Sequence, residues 1–370
     1  MRVALVHDYL NQYGGAERVL EAFMEIYPNA PVYTLIYDPA FFKRCGVSPF
    51  SKKKIHTSFL QKIPLAKSKH RLFPLLMPIA VEQFDLSDYD VVLSDTTSFA
   101  KGVITMPETL HICYCHTPTR YAWDDSHKYI EEFGLPGVIK KLVPFFMNYI
   151  RIWDKEAALR VDKFICNSRF VAQRIKKYYN KKAKVIHPPV DAEMFFASGR
   201  SADNYFLMVG RLLAYKRFDI AINAFNKLGK PLKIIGDGPE RKKLEKLAKK
   251  NIEFLGELYN EELKKYYQDC QALIFPQEED FGIVALESMA CGRPVVAYRG
   301  GGAVESIREE ETGLFFNEQT SKALIKAVKE FRPKNFNPKK IRKHALKFSK
   351  ERFKGQIKNF VEKSYYDHRN

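Results

Sequence analysis

The sequence predicts an α/β protein with two doubly wound domains, each built on a parallel sheet covered by helices on both faces. Its 370 residues exceed the length at which one hydrophobic core usually stops growing, so two domains are expected. Short apolar runs alternate with amphipathic helical stretches, which is the pattern of parallel sheets buried on both faces. This alternation occurs twice, on either side of His187-Pro188-Pro189-Val190-Asp191, where two prolines forbid a continuous helix.

The first domain is expected to cover residues 1–187 and the second residues 188–349. Apolar runs of strand length predict strands at residues 2–7, 31–36, 90–93, 110–113, 163–166 and 184–186, and then at 205–209, 232–235, 252–255, 272–275 and 294–297. Amphipathic stretches predict helices at residues 16–26, 168–179, 219–228, 239–250, 261–269, 283–291 and 321–331. The Lys-rich tail at 338–370 is expected to be helical with a basic exposed face, and its last helix, about 350–370, to pack back on the first domain.

Neither the first residues of the sequence nor its longest apolar run indicates secretion or a membrane-spanning helix. The start, MRVALVHDYL, lacks the charged, apolar and cleavage regions of a signal peptide, so we expect a cytoplasmic protein. The longest apolar candidate, residues 142–153, is interrupted by Asn148 and Arg151 and is too short to span a bilayer.

The six cysteines form no C-x-x-C pair, which favours reduced thiols over a disulfide framework. His111, Cys113, Cys115 and His116 lie close together in sequence and could suggest a metal cluster. On a strand, however, residues two apart share one face, so His116 would point to the other side. We therefore expect neither a metal site nor a bound cofactor.

The formal net charge of +18 points to an anionic partner. Residues 39–81 contain no Asp or Glu. This acid-free window is expected to adjoin the segment 133–153, where Lys140 and Lys141 flank apolar Leu142, Val143, Phe145, Phe146 and Met147. We expect peripheral contact with an anionic membrane. A solvated basic face and a core helix with basic edges are the alternatives. The basic residues of the window are Lys43, Arg44, Lys52, Lys53, Lys54, Lys62, Lys67, Lys69 and Arg71.

Ligands of open parallel sheets bind at the carboxyl ends of the strands, so the loops that follow strands carry the candidate site. Gly14 and Gly15 open a helix after the first strand, where backbone amides can approach a phosphate. Arg211 and Lys216 follow the first strand of the second half. The planar guanidinium of an arginine and the compact ammonium of a lysine together suit a diphosphate. The turn at residues 236–239 is mainly architectural.

The segment EEDFGIVALESMACG gives the strongest signal. Glu279 lies in the loop and Glu287 on the helix opened by Gly282, so two carboxylates straddle a strand-to-helix junction. The amides of Gly282, Ile283 and Val284 would point out of the helix start and could bind phosphate oxygens. Carboxylates, which only accept hydrogen bonds, suit sugar and ribose hydroxyls.

These residues together resemble the retaining glycosyltransferases of family 4, in which Glu279 and Glu287 correspond to the E-x7-E motif. The resemblance implies the GT-B fold, two Rossmann-like domains facing across a cleft. HDYLNQYGGAERVL and HTPTRYAWD resemble the branch of GDP-mannose-dependent mannosyltransferases of surface polysaccharide synthesis. The similarity covers most of the chain, through the Gly14-Gly15 loop, His116, Arg211 with Lys216, the turn at 236–239, the E-x7-E segment and the segment 300–305.

The resemblance also implies roles for individual residues. Arg211 and Lys216 would neutralise the diphosphate of a nucleotide-sugar donor, Glu279 would hold donor-sugar hydroxyls, and Glu287 would hold the ribose. His116 would lie near the reacting carbon of the sugar, so His116 and Glu279 are the catalytic candidates. The acceptor would be a glycan or a polyprenyl-lipid-linked sugar, and fixed cations and amides would make a metal unnecessary.

Two other classes of function remain open from the sequence. A nucleotide-sugar epimerase of similar fold would also build its site on two such domains, and it would isomerise the donor without an acceptor. A nucleic-acid-binding protein would explain the charge of +18, but no recognisable reading motif is present, so we expect no specific nucleic acid.

Overall fold

The computed structural model describes residues 1–46, 50, 54–124, 137–199 and 202–370, without the side chains of residues 69, 71 and 137–142. The chain forms two compact units. One consists of Met1–His187 together with Phe353–Asn370, and the other of Pro188–Arg352. Each unit contains one parallel sheet with helices, so the doubly wound α/β fold predicted from the sequence is confirmed.

The sheet of the first unit has seven parallel strands in the order β3-β2-β1-β4-β5-β6-β7. The chain moves outward in one direction from β1 to β3, and in the other from β4 to β7. The carboxyl ends of β1 and β4 therefore flank a topological switch point, where ligands of such sheets bind. The strands are β1 (Val3–Leu10), β2 (Val32–Tyr37), β3 (Ile55–Thr57), β4 (Val91–Thr96), β5 (Leu110–Cys115), β6 (Lys163–Cys166) and β7 (Ala183–Val185).

Alternate residues of β1 face two separate cores, which explains why the whole strand is apolar and buried. Val3 and Leu5 pack with the helix Gly15–Ile26 and with the final helix, whose Phe353 stacks on Phe23. Ala4 and Val6 pack against the opposite layer of helices. The α-helices of this unit are Gly15–Ile26, Pro39–Arg44, Ala66–Lys69, Met77–Glu82, Arg120–Trp123, Gly137–Leu159, Arg169–Tyr179 and, from residue 353 on, Lys350–Arg369.

The sheet of the second unit has six parallel strands in the order β10-β9-β8-β11-β12-β13. Its switch point lies between β8 and β11. The strands are β8 (Phe206–Val209), β9 (Leu232–Ile235), β10 (Ile252–Gly256), β11 (Leu273–Phe275), β12 (Val295–Tyr298) and β13 (Gly313–Phe316). The α-helices are Phe218–Leu228, Arg241–Leu247, Asn260–Asp269, Ile283–Ala290, Ala303–Ser306, Ser321–Glu330 and Pro338–Ala345.

The tail forms two helices, and the second returns to the first unit. Phe353, Ile357 and Val361 of Lys350–Arg369 are buried in the same core as β1 and β4. Spacing of four residues places these three side chains on one face of the helix. The lysines of this helix lie on its other faces, where Lys354 pairs with Glu25 at 2.9 Å.

The helix Gly137–Leu159 has a buried side and an exposed side. Met147 and Ile150 are buried in the core, so the expectation that Met147 meets a membrane is wrong. Phe145, Tyr149 and Ile152 are exposed, at a spacing that places them along one stripe. Of the remaining calls on this region, Lys52, Lys53 and the start of the segment 133–153 lie outside the described residues, as do the side chains of Lys69, Arg71, Lys140, Lys141 and Leu142.

Within the described residues, no helix has an apolar stretch long enough to cross a bilayer.

Candidate active site

The switch point of the first sheet brings together three charged or titratable side chains. His7 lies near the end of β1, Asp95 near the end of β4, and His116 directly after β5. Residues 7 and 95 are paired across neighbouring strands. Asp95 is fully buried and accepts a hydrogen bond through each oxygen, from Nδ1 of His7 at 2.9 Å and from Nε2 of His116 at 2.6 Å.

His7 lies between two buried carboxylates. Its Nε2 is 3.7 Å from Oε1 of Glu17, a distance of an ion pair and not of a hydrogen bond. Burial alone would lower the pKa of His7, but Asp95 and Glu17 outweigh it and raise this pKa to about 10. Burial would likewise raise the pKa of Asp95 and Glu17, yet the neighbouring histidines hold both pKa values below their usual range. The cluster is therefore an imidazolium held by two carboxylates.

The glycine pair opens the helix Gly15–Ile26, as the sequence indicates, but the amide of Gly14 is already used. It donates to Oε2 of Glu17 at 2.7 Å, and Gln12 donates to Oε1 of the same carboxylate at 3.0 Å. The anion at this helix start is thus supplied by the protein itself. The predicted phosphate contact of Gly14 is not supported by this geometry, which leaves the amide of Gly15 as the candidate.

Asp8 fixes the loop that follows β4. Its carboxylate accepts hydrogen bonds from the amides of Thr97, Ser98, Phe99 and Ala100 at 2.6–2.8 Å, and from the hydroxyl of Thr97 at 2.7 Å. Four converging amides are a strong anion site, and here a buried aspartate fills it. The loop beside Asp95 is therefore held rigidly in place.

A second buried ion pair, between Lys101 and Asp154, holds the end of the same loop. Asp154 accepts from Nζ of Lys101 at 2.5 Å and from Tyr179 at 2.7 Å, and it also binds Thr119 and Trp123. Burial would lower the pKa of Lys101, but Asp154 raises it above its ordinary value, so the pair stays ionised. Thr119 and Trp123 belong to the segment HTPTRYAWD that begins with His116.

The switch point of the second sheet carries the predicted cations. Arg211 and Lys216 lie in the loop after β8, and Glu279 lies in the loop after the adjacent strand β11. Lys216 forms an ion pair with Glu279, with both side chains mostly buried. The structure thus brings together two residues 63 positions apart that the sequence assigned to neighbouring parts of one ligand.

Glycines allow the loops around this ion pair to pack backbone against backbone. A Cβ atom at Gly236 would lie 2.0 Å from the carbonyl oxygen of Gly210, next to Arg211. A Cβ atom at Gly301 would lie 2.2 Å from the carbonyl oxygen of Glu279, and the amide of Gly302 donates to that oxygen at 2.8 Å. Any side chain at these glycines would displace the loops that carry Arg211 and Glu279.

The helix Ile283–Ala290 begins at Gly282, which has a φ of 89°. Its first backbone hydrogen bond runs from the amide of Ala285 to the carbonyl of Gly282 at 3.1 Å. The amides of Gly282, Ile283 and Val284 therefore precede the hydrogen-bond ladder, as predicted for the start of a helix. They follow the loop of Glu279 directly and can donate hydrogen bonds to an anion there.

Glu287 is buried on this helix, and Oε2 of its carboxylate accepts a hydrogen bond from the hydroxyl of Tyr267 at 2.8 Å. A ribose contact would have to share the carboxylate with Tyr267. This partner lies on the helix Asn260–Asp269 and was not foreseen from the sequence.

Among the described residues, no group of three or more His, Cys, Asp or Glu side chains is arranged to hold a metal ion. His111 hydrogen-bonds Ser94 at 2.9 Å, and burial lowers the pKa of His111 to about 3. The tripeptide Asp88-Tyr89-Asp90 has the Asp-x-Asp pattern of residues that bind a metal ion together with a diphosphate. It directly precedes β4, however, and so lies at the edge of the sheet opposite the switch point. There Asp90 pairs with Arg2 and Arg369.

Sequence reasoning missed Asp95, His7 and Asp154. Asp95 and His7 occur in short polar interruptions of apolar strands, and this could have marked them, because a buried charge in a strand requires a partner. Asp154 carries no comparable signal in a helix with many polar residues.

The sequence matches two protein-family profiles that follow each other along the chain. Residues 13–194 match the family described as Glycosyltransferase Family 4, and residues 190–348 match the family described as Glycosyl transferases group 1.

Curated relatives match part of the chain. An uncharacterized glycosyltransferase of Methanocaldococcus jannaschii is 32% identical over 206 residues, which cover 54% of this chain and 58% of that protein. O-antigen chain mannosyltransferase C of Escherichia coli is 29% identical over 188 residues, 46% of this chain and 51% of that protein. Sulfoquinovosyl transferase of Arabidopsis thaliana is 31% identical over 46% of this chain and 30% of its own length. These matches thus span between 30% and 58% of the relatives' lengths.

Solved structures share the fold over nearly the whole chain. HepE of Anabaena in complex with UDP-glucose has a TM-score of 0.72 at 18% identity, with 98% of this chain and all of that chain covered. Sucrose-phosphate synthase of Thermosynechococcus elongatus has a TM-score of 0.75 at 17% identity, with 99% and 100% covered. The chain thus matches two glycosyltransferase families in succession, over residues 13–194 and 190–348, and it has the fold of the GT-B glycosyltransferases.

Proposed function

We propose that this protein transfers a sugar, mannose from GDP-mannose, to a glycan or polyprenyl-lipid-linked acceptor in the synthesis of a surface polysaccharide or glycoconjugate. The observation that carries the proposal is the placement of Arg211, Lys216 and Glu279 at the switch point of the second sheet, beside the amides of a helix start. This is the set of groups that a nucleotide-sugar donor requires. The mannosyl assignment is supported by the likeness to the mannosyltransferase of Escherichia coli.

In this proposal the second unit binds the donor. Arg211 and Lys216 neutralise the diphosphate, and the amides of Gly282, Ile283 and Val284 donate to its oxygens. Glu279 accepts from hydroxyls of the donor sugar. Glu287, shared with Tyr267, accepts from the ribose. In the first unit, of the predicted pair Gly14 and Gly15, only the amide of Gly15 remains a candidate for a phosphate contact, because the amide of Gly14 donates to Glu17.

The transfer itself retains the configuration at the anomeric carbon. The bond from this carbon to the diphosphate breaks with both electrons leaving on the phosphate oxygen. The oxygen of the acceptor hydroxyl bonds to the same face of the carbon, and its proton passes to a base, either an oxygen of the departing diphosphate or a protein carboxylate. Positive charge develops on the sugar and negative charge on the leaving group. Preorganised cations and amides stabilise the leaving group, each donor being worth about 10²- to 10³-fold in rate, so the reaction proceeds without a metal. His116 acts near the reacting carbon.

A thermal-shift panel of GDP, UDP, ADP and their sugars tests the donor. A ligand at 100 times its dissociation constant adds about 2.7 kcal/mol of apparent stability, so the true nucleotide should stand out. GDP and GDP-mannose should give the largest shifts, and chelator should leave transfer to a lipid-linked acceptor unchanged. A preference for UDP would move the donor to a UDP-sugar, as in the HepE complex, and equal shifts for all nucleotides would remove the mannose assignment.

We further propose that the first unit contacts an anionic membrane through the outer face of the helix Gly137–Leu159. Phe145 and Ile152 on this face are 74% and 58% exposed, Tyr149 lies between them, and the buried side of the helix packs with the acid-free window. Exposed aromatic and aliphatic side chains on such a helix can enter the interface without spanning it. The acceptor would then be met at the membrane surface.

Flotation with vesicles of phosphatidylglycerol tests this contact. The double variant Phe145→Ser, Ile152→Ser should remain in the unbound fraction while the wild type floats at low salt. Tyr366→Ser, on the final helix and 68% exposed, is the matched control and should float like the wild type. If the wild type does not float, the membrane proposal is wrong.

A further inference from the structure

Four titratable side chains form a continuous series in the first unit, ending at the histidine proposed to act near the sugar. The series is His116, Asp95, His7 and Glu17, with successive separations of 2.6, 2.9 and 3.7 Å. Only His116 has appreciable exposure, and the other three side chains are at least 98% buried. Three buried ionisable groups behind one accessible imidazole are costly unless they are mutually paired.

We propose that His7 and Glu17 are positioning residues that hold Asp95, and through it His116, so that Nδ1 is the ring nitrogen of His116 that meets the reacting sugar. This inference rests on the proposed function, because it assigns an atom and a supporting set to the same site.

The orientation of His116 follows from the hydrogen bonds of Asp95. A carboxylate only accepts, so the Nε2 atom of His116 must carry the proton that it shares with Oδ1 of Asp95. The neutral ring then has its lone pair on Nδ1. The other oxygen of Asp95 is bound to His7, so the carboxylate cannot rotate without breaking a buried hydrogen bond. The amide of Asn167 also donates to the backbone carbonyl of His116 at 2.9 Å, which fixes its main chain.

The charge of His7 makes this arrangement stable. The strand β4 presents Asp95 to His7, the helix Gly15–Ile26 presents Glu17, and β2 presents the uncharged Thr34 at the paired position. The adjacent Asp8 is occupied by the amides of residues 97–100. Two carboxylates raise the pKa of His7 to about 10, so the imidazolium persists at neutral pH. It offsets one of the two negative charges.

Loss of this cation would leave Asp95 beside Glu17 with no positive charge between them. Repulsion between these two carboxylates would displace Asp95 from the position in which it holds the ring of His116. A neutral residue at position 7 should therefore alter turnover without touching the groups assigned to the nucleotide.

Nitrogen NMR of the full-length, ligand-free protein tests the series independently of transfer. Both ring nitrogens of His7 should remain protonated at pH 8.5, and His116 should show the tautomer with the proton on Nε2. A neutral His7 at pH 8.5, or the Nδ1-protonated tautomer of His116, would overturn the proposal. If the wild type shows these ring states but transfers no sugar, the proposed function fails and the series stands.

Kinetics of His7→Gln give the second test. The glutamine can keep a hydrogen bond to Asp95 but not the charge. We expect kcat to fall about 10²-fold, the change typical of a misplaced catalytic group, with GDP binding unchanged. Glu17→Gln serves if His7→Gln does not fold, and it should lower kcat with the GDP dissociation constant unchanged. Glu25→Gln, an exposed glutamate on the same helix, is the control and should match the wild type. A wild-type kcat for a folded His7→Gln would refute the proposal.

Discussion

The imidazolium of His7 makes the stability of the first unit depend on pH. Its pKa rises from 6.5 to about 10 on folding, so the folded state holds a proton that the unfolded state releases above pH 6.5. The resulting stabilisation is complete below pH 6.5 and is lost as the pH rises through 10. With these two pKa values the linkage relation gives a loss on the order of 2 kcal/mol between pH 7 and pH 9.

Urea unfolding followed by tryptophan fluorescence measures this loss in the correct unit, because the two tryptophans of the chain, Trp123 and Trp153, both lie in the first unit. The free energy of unfolding should fall by roughly 2 kcal/mol from pH 7 to pH 9 in the wild type. His7→Gln should lack this component, and the control Glu25→Gln should keep it. The same pH dependence in the wild type and in His7→Gln would refute the reasoning, since other groups titrate equally in both.

Three further substitutions test the buried polar contacts and the glycine at the helix start. Asp154→Ala should destabilise the first unit by about 3–5 kcal/mol in the same fluorescence assay, because Lys101 stays buried without its counter-charge. Asp8→Ala should cost about 1–3 kcal/mol by leaving several amides without an acceptor. Gly282→Ala should lower the melting temperature of the second unit, measured by calorimetry, because the added Cβ would lie 2.5 Å from Phe275 at a φ of 89°. An unchanged melting temperature would show that the loop of Glu279 can shift at little cost.

Most of the fold could be predicted from apolar periodicity; the strands that were missed, β3 and β13, are edge strands, and several short helices were missed as well. The strand β3 has only three residues, Ile55-His56-Thr57, and it follows a run of lysines in which no apolar alternation appears. The strand β13, Gly313–Phe316, is four residues long and follows three glutamates. Both form because a neighbouring strand offers hydrogen bonds, which is information that a local pattern lacks.

The candidate site of the second unit could be predicted because its residues follow strand ends, and parallel strands bring those ends to one edge of the sheet. The contact of Lys216 with Glu279 follows this rule. The series behind His116 could not be predicted in the same way. His7 and Asp95 are 88 residues apart, and only the register of β1 against β4 places them side by side.

Calorimetric titration of GDP beside initial rates of transfer tests the central claim, a division of labour between the two units. Arg211→Ala and Lys216→Ala should each weaken GDP binding by about 1.5–3 kcal/mol, or about 13- to 160-fold, because each removes a charge-assisted hydrogen bond. Glu279→Gln should keep the affinity for GDP and lose the preference for GDP-mannose. His116→Ala should bind GDP like the wild type and lose turnover, because its interaction belongs to the transition state. If His116→Ala abolished GDP binding while Arg211→Ala and Lys216→Ala bound it normally, the assignment of the donor to the second unit would be contradicted.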